Sequence, residues 1–169
     1  MAQQSHIQHP FLNGHIMLLK KRISREKSSI PAFRPYNAQM STDSRRKEVG
    51  RLGEEIATQF LERKGFKIIE RNYRKPWGEI DIIAEKGNTV RFVEVKAVSR
   101  ESLPNVSREI SSYRPEEQVH PAKLRKVART AELYMAEKGD GRDFQIDVIG
   151  VFLDMKTRKA RCRLFEQVL

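Results

Sequence analysis

The sequence predicts an α/β domain, a mixed β-sheet with helices packed against it. Three observations carry that expectation. Two stretches repeat apolar residues at helical spacing, and runs rich in Ile, Val and Phe follow each of them. Glycine or proline stands where the period changes. The elements come in the order helix, three strands, helix, two strands, which suits a mixed sheet covered by helices.

The first helix is expected over residues 44–64. Val49, Leu52, Ile56, Phe60 and Leu61 recur there on one face. Asp43 or Ser44 would cap its start, and Gly65 would close it in a left-handed turn. Strands follow over residues 67–71 and 78–84, the second rich in isoleucine. A turn at 85–88 with Gly87 leads into a third strand at 89–98. Residues 99–118 form a polar stretch with two prolines, and loops of that length often carry function. The second helix is expected over 121–138, with Pro121 in its first turn and Gly139 at its stop. Leu124, Val127, Ala128, Ala131, Tyr134 and Met135 make its apolar stripe. Strands at 144–153 and 161–165, joined by a turn at 154–157, close the domain.

The 169 residues allow one domain with a real core and a tail. The domain is expected over 44–169. Residues 1–43 lack sustained periodicity and are expected to be disordered or poorly ordered. That tail is basic and nearly free of acids, as in a transit peptide, though a translation start at Met40 or plain disorder is preferred. The formal net charge is +11. Residues 1–47 hold nine Lys and Arg against two acids, so the rest is only mildly basic. Local runs say more: Lys123, Arg125, Lys126 and Arg129 have no acid among them, nor do Lys156, Arg158, Lys159, Arg161 and Arg163. Such clusters can neutralise phosphates, although a solvated helix face and a basic hairpin explain them equally well. The single cysteine, Cys162, excludes a disulfide framework or a Cys-based zinc site within the chain, and it fits a reducing, cytoplasmic setting. No apolar run approaches the roughly 20 residues of a membrane span, so no membrane partner is expected.

The chemistry is concentrated in GEIDIIAEKGNTVRFVEVK, residues 78–96. Strand side chains alternate between faces, so Glu94 and Lys96 share a face about 7 Å apart. Asp81 lies within an apolar strand, with Glu79 expected on its face. The short turn makes the two strands antiparallel neighbours and can bring Asp81 to Glu94. Two carboxylates in an apolar sheet are costly unless a lysine or a divalent cation compensates them. Oxygen ligands with room for water suit Mg2+ or Mn2+. Such a cation polarises a phosphodiester, and Lys96 can orient the attacking water or neutralise developing charge. Ordinary ion pairing at strand ends is the competing explanation, and short motifs match by chance often.

The run GRLGEEIATQFLERKGFKIIERNYR, followed by GEIDIIA and FVEVK, resembles the uncharacterised bacterial family UPF0102, also called the YraN family. The resemblance covers residue 45 to the C-terminus. That family is similar to archaeal Holliday junction resolvases and to the wider PD-(D/E)XK nucleases. The resemblance implies a restriction-endonuclease-like core. It also implies that Asp81 and Glu94 bind metal, that Glu54 helps hold it from the first helix, that the Val95 carbonyl is a further ligand, and that Lys96 is the catalytic lysine. One departure is that Ile80 stands where such nucleases usually have proline before the aspartate.

Other residues carry weaker signals. Gln118, His120 and Lys123 open the second helix, where capping and solvation are favoured over a role in the site. Asp147 lies within a strand and is read as structural. Tyr73, Arg74 and Trp77 precede the motif strand; they can stack on an unpaired base or pack over the sheet edge. His6, His9 and His15 are read as incidental. The resulting expectation is a Mg2+- or Mn2+-dependent endonuclease on structured nucleic acid, DNA before RNA, such as junctions or flaps. Arg74, Lys123, Arg125, Lys126 and Arg129 would hold phosphates, and a homodimer would suit a two-fold substrate. The alternatives are a non-catalytic nucleic-acid-binding accessory protein in repair or RNA metabolism, and a domain binding an acidic protein.

Overall fold

The computed structural model describes residues 22–24, 29–30, 33, 40–100 and 120–168. Two short strands come first, β1 (Arg22–Ser24) and β2 (Ser29–Ile30). They are followed by α1 (Thr42–Arg63), β3 (Lys67–Lys75), β4 (Gly78–Lys86), β5 (Thr89–Arg100), α2 (Pro121–Lys138), β6 (Asp143–Asp154) and β7 (Lys159–Glu166). The sheet order is β1-β7-β6-β5-β4-β3, with β2 also lying along β7. Every neighbouring pair is antiparallel except β5 and β6, which run parallel over twelve residues, Thr89↔Asp143 to Arg100↔Asp154. A parallel pair needs a long crossover, and α2 lies on it. This is the expected α/β architecture, a mixed sheet flanked by helices, consistent with a restriction-endonuclease-like core.

The two helices cover opposite faces. Leu52, Ile56, Phe60 and Leu61 of α1 pack on Ile82, Ala84, Val93, Val95, Ile149 and Val151. Val127, Ala131, Tyr134 and Met135 of α2 pack on Tyr73, Ile80, Ile83, Val90, Phe92 and Ile146. Both apolar stripes were therefore readable as periods. Each fully buried large side chain in these clusters contributes roughly 1.5–3 kcal/mol through water exclusion.

Several boundaries differ from the sequence reading. α1 starts at Thr42, and its cap is Ser41 rather than Asp43 or Ser44; the Ser41 hydroxyl accepts from Ser44 N at 3.3 Å. β3 and β5 run further than expected, to Lys75 and Arg100. Parts of the N-terminal segment expected to lack order pair with β7, and Phe33 is buried in the α1 cluster. A bare outer strand offers unpaired backbone groups to any extended segment that can reach it. Gln118, the tail histidines and residues 101–117 of the polar stretch lie outside the described residues. Among the described residues no helix is long and apolar enough to cross a membrane.

One irregularity positions the site. Strict alternation would put Ile80 and Ile82 on one face, yet Ile80 joins the α2 cluster and Ile82 the α1 cluster. The alternation breaks at Asp81. Opposite it in β3, between the pairs Arg71↔Ile82 and Tyr73↔Ile80, stands Asn72 with φ of 54°. Asparagine tolerates that left-handed conformation better than most residues. On the other side, pairing of β4 with β5 stops at Ile82↔Val93. Beyond that point the sheet forks, and Asp81 sits at the fork.

Candidate active site

At the fork a side chain takes over from the backbone ladder. Asp81 Oδ2 accepts from Val95 N at 2.7 Å, the residue after Glu94 in β5. Burial raises the Asp81 carboxyl first, and the charges of Glu94 and Glu54 raise it further. The Val95 N–H and Lys123 oppose them, and the balance leaves the pKa at about 7. Asp81 thus lies near enough to Glu94 for that charge to act on it. The expected sharing of a strand face by Asp81 and Glu79 rested on unbroken alternation, which the chain does not keep here.

Glu94 is 2 % exposed. Its Oε1 accepts from Lys96 Nζ at 2.9 Å. Its Oε2 is buried and accepts no hydrogen bond among the described residues, although Lys123 Nζ stands 3.5 Å away. Lys96 follows two positions along the same strand, so the predicted Glu-x-Lys geometry is present. Lys123 comes from the start of α2 and also donates to Glu79 Oε1 at 2.9 Å. Burial depresses the Lys123 ammonium, but the Glu79 bond and the charges of Glu94, Glu79 and Asp81 outweigh it, so its pKa is raised. The Lys123 bond holds the Glu79 carboxyl below its ordinary value.

Lys123 is the residue whose role the sequence understated. In the sequence it is a candidate phosphate contact, with solvation favoured over a role beside the acids; in the structure its ammonium stands 3.5 Å from Glu94 Oε2. A signal was present: it lies in the first turn of the crossover helix after β5, which packs over the same face as Glu94. His120 does cap α2, accepting from Ala122 N at Nδ1 over 3.2 Å. Glu54 reaches the site from α1. It follows Gly53, which packs so closely on β5 that a Cβ there would collide with Ala97 Cβ. That close approach carries Glu54 near enough for its charge to act on Asp81.

Asp81, Glu94 and Glu54 offer only hard oxygen donors, which fit Mg2+ or Mn2+. The orphaned Oε2 of Glu94 and the raised pKa of Asp81, which comes from burial first and from the neighbouring acids second, mark carboxylates in a dry place, as a cation site has. Among the described residues no three His, Cys, Asp or Glu side chains gather closely enough to hold an ion as they stand. Two ammonium groups occupy part of that space instead.

The remaining candidates divide. Tyr73 is core: it stacks edge-on against Tyr134 at 5.1 Å, and its hydroxyl donates to Glu137 at 3.2 Å. Asp147 is 0 % exposed and accepts from Arg91 Nε, Gln145 Nε2 and Gln167 N, which is the structural role expected. Arg125, Lys126 and Arg129 are exposed on α2. Arg74 is exposed beside Glu79 at 4.0 Å. Lys156 and Arg158 occupy the β6–β7 turn and Lys159 opens β7, on the far side of the sheet from β3 and β4.

Together these features define a mixed α/β domain with a carboxylate–lysine cluster at a fork in its sheet. The chain belongs to the family described as Uncharacterised protein family UPF0102, which it matches over residues 53–151. It is 44 % identical over 109 residues to a UPF0102 protein of Alkaliphilus metalliredigens, covering 63 % of this chain and 87 % of the relative. It is 38 % identical over 106 residues to one of Campylobacter jejuni, covering 63 % and 85 %. One of Moorella thermoacetica is 36 % identical over 116 residues, covering 68 % and 89 %. Asp81, Glu94, Lys96, Glu54 and Lys123 all lie within the matched span.

Proposed function

We propose that this protein is a divalent-cation-dependent phosphodiesterase acting on structured nucleic acid, DNA before RNA, at places such as junctions or flaps. The observation that carries this reading is Glu94. A carboxylate 2 % exposed, with one oxygen left without a hydrogen bond among the described residues, is a poor structural element and a good ion ligand. Asp81, Glu94 and Glu54, with the Val95 carbonyl, would hold Mg2+ or Mn2+. The ion would supply polarisation of the phosphodiester and acidification of water. The chain's own residues do the rest. The Lys96 ammonium, which donates to Glu94 Oε1, would orient water and neutralise charge gathering on phosphate. Lys123 bridges Glu79 and Glu94 and adds a second cation at the same edge. Arg74, Arg125, Lys126 and Arg129 would hold the phosphates of the bound strand.

A second reading is favoured by one observation: Lys96 and Lys123 already compensate Glu94, as they would in a nucleic-acid-binding protein that does not cleave. The two separate in one experiment. Branched, flapped and linear DNA and RNA are incubated with the protein in Mg2+, in Mn2+ and in chelator, beside Glu94→Ala. Cleavage that needs the cation and disappears in the variant, with binding retained, is the expected result. Binding without cleavage in any cation, or cleavage that survives chelator, overturns the phosphodiesterase reading.

A further inference from the structure

The turn joining β3 to β4 is only Pro76 and Trp77, between the paired residues Lys75 and Gly78. It rests against α2, because Gly78 lies so close that a Cβ there would collide with Thr130 Oγ1. Between this turn and the start of α2 runs a groove of about 340 Å3. Its walls are Arg74, Lys75, Trp77, Glu79, Lys123 and Lys126, so four cations face one acid. Trp77 is 42 % exposed, among the few large apolar side chains on the described surface. Its ring is held from one side by Lys75 Nζ, 5.9 Å from the centroid, and Lys75 is itself tied to Glu137 at 3.1 Å. The groove is continuous with the site, since Lys123 lines it and also stands 3.5 Å from Glu94 Oε2.

An exposed indole flanked by cations is the combination that binds an unpaired nucleotide: the ring stacks on any base, and the cations take the phosphates. Paired bases keep their faces inside the stack and offer nothing to an indole at a turn. We infer that this groove binds an unpaired nucleotide of the strand entering the site, with its base on Trp77 and its phosphates on Arg74 and Lys126. The inference rests on the phosphodiesterase reading and narrows its substrate to nucleic acid with unpaired nucleotides beside the bond to be cut.

Trp77 is the only tryptophan in the chain, so its fluorescence reports on the groove directly. The full chain in chelator, where no cleavage is required, is titrated with oligothymidylate and oligouridylate of about 10 nucleotides, within the usual site size, and with blunt duplex DNA. Saturable quenching by either single strand, but not by the duplex, is expected; which strand quenches tells DNA from RNA. Trp77→Ala should weaken single-strand binding, followed by anisotropy of a labelled strand, about tenfold or more. Trp77→Phe should recover most of it, and neither change should alter duplex binding. Binding without quenching, equal quenching by duplex, no binding at all, or an unchanged affinity in Trp77→Ala overturns the groove assignment. Quenching in a protein that cleaves nothing in any cation leaves the groove standing and sinks the phosphodiesterase reading; cleavage without quenching does the reverse.

Discussion

β5 carries two clusters of buried charge three residues apart, Arg91 with Asp147 and Glu94 with Lys96. In the first, Asp147 accepts from Arg91 Nε at 2.6 Å, Gln145 Nε2 at 2.9 Å and Gln167 N at 2.8 Å, and Arg91 Nη2 also reaches Glu166 at 2.8 Å. In the second, one carboxylate oxygen has no hydrogen bond among the described residues and its neighbour Asp81 is pushed up to about 7. The same strand therefore holds one cluster whose buried carboxylate is fully hydrogen-bonded and one whose buried carboxylate has its charge balanced by two lysines but an oxygen without a hydrogen bond among the described residues. A closed network fixes a fold; on the proposed reading, the open one serves the site instead.

The sharpest way to break this contrast is to remove the centre of the closed cluster. Asp147→Ala leaves the Arg91 guanidinium buried without its strongest partner and orphans Gln167 N. It should cost about 3–5 kcal/mol of stability, read as a lower urea midpoint at unchanged slope. Molecules that remain folded should keep their cleavage rate. A loss under about 1 kcal/mol would show that the cluster does not hold the fold.

Glu94→Gln is the matching change in the open cluster, and its profile should be inverted. Cleavage should fall by about 10²-fold or more, the scale seen when one electrostatic element of an active site is lost. Stability should stay within about 1 kcal/mol, because Lys96 and Lys123 are part-exposed and regain water. A denaturation loss as large as that of Asp147→Ala would erase the distinction between the two clusters.

Asp81 adds a pH signature. Its folded carboxyl titrates near 7 against an ordinary value of 3.8, so the folded chain takes up this proton more readily than the unfolded one. The protonated form therefore favours folding, and that contribution is lost as pH rises from about 4 to about 7. In chelator, Asp81→Asn should be the more stable protein at pH 8, by on the order of 2 kcal/mol, with the advantage vanishing near pH 4. Asn can still accept from Val95 N. Mg2+ should shrink the gap at pH 8 by stabilising the ionised wild type. Thermal melts of both proteins across that range test it, and an unchanged difference from pH 4 to pH 8 would refute the burial argument.

The legible part of this molecule was its periodicity. The stripes of α1 and α2 could be read from spacing, and the antiparallel pairing of the strands that carry Asp81 and Glu94 followed from the short turn between them. The fork could not. It coincides with a break in alternation at Asp81, opposite Asn72 in a left-handed conformation, which no alternation pattern encodes. The contact of Lys123, a candidate phosphate ligand, with Glu94 was illegible for a related reason. A basic residue in the first turn of a helix reads as solvated until the crossover places it over Glu94, and crossover placement is a property of the whole sheet. Ser41 lost out as a cap because Asp43 and Ser44 were equally good caps one turn on. The run at Arg22–Ser24 has too few residues to show a period and gains its strand character only from the edge of β7.

The smallest expected effect concerns the two basic runs, which look alike in sequence. The structure separates them: Lys126 lines the groove beside the site, while Lys159 lies on β7, across the sheet. If phosphates are held only near the open cluster, the two lysines are not equivalent. Lys126→Ala should weaken nucleic-acid binding modestly and evenly across sequences. It should also lower the slope of log K against log salt by about 1, as loss of one phosphate contact requires. Lys159→Ala should leave that slope unchanged. The discriminating quantity is the slope rather than the affinity, because a small structural disturbance lowers affinity at every salt concentration while leaving the number of released counterions the same. Equal slope changes in the two variants would mean that phosphate binding is spread over the whole basic surface and is not directed by the site.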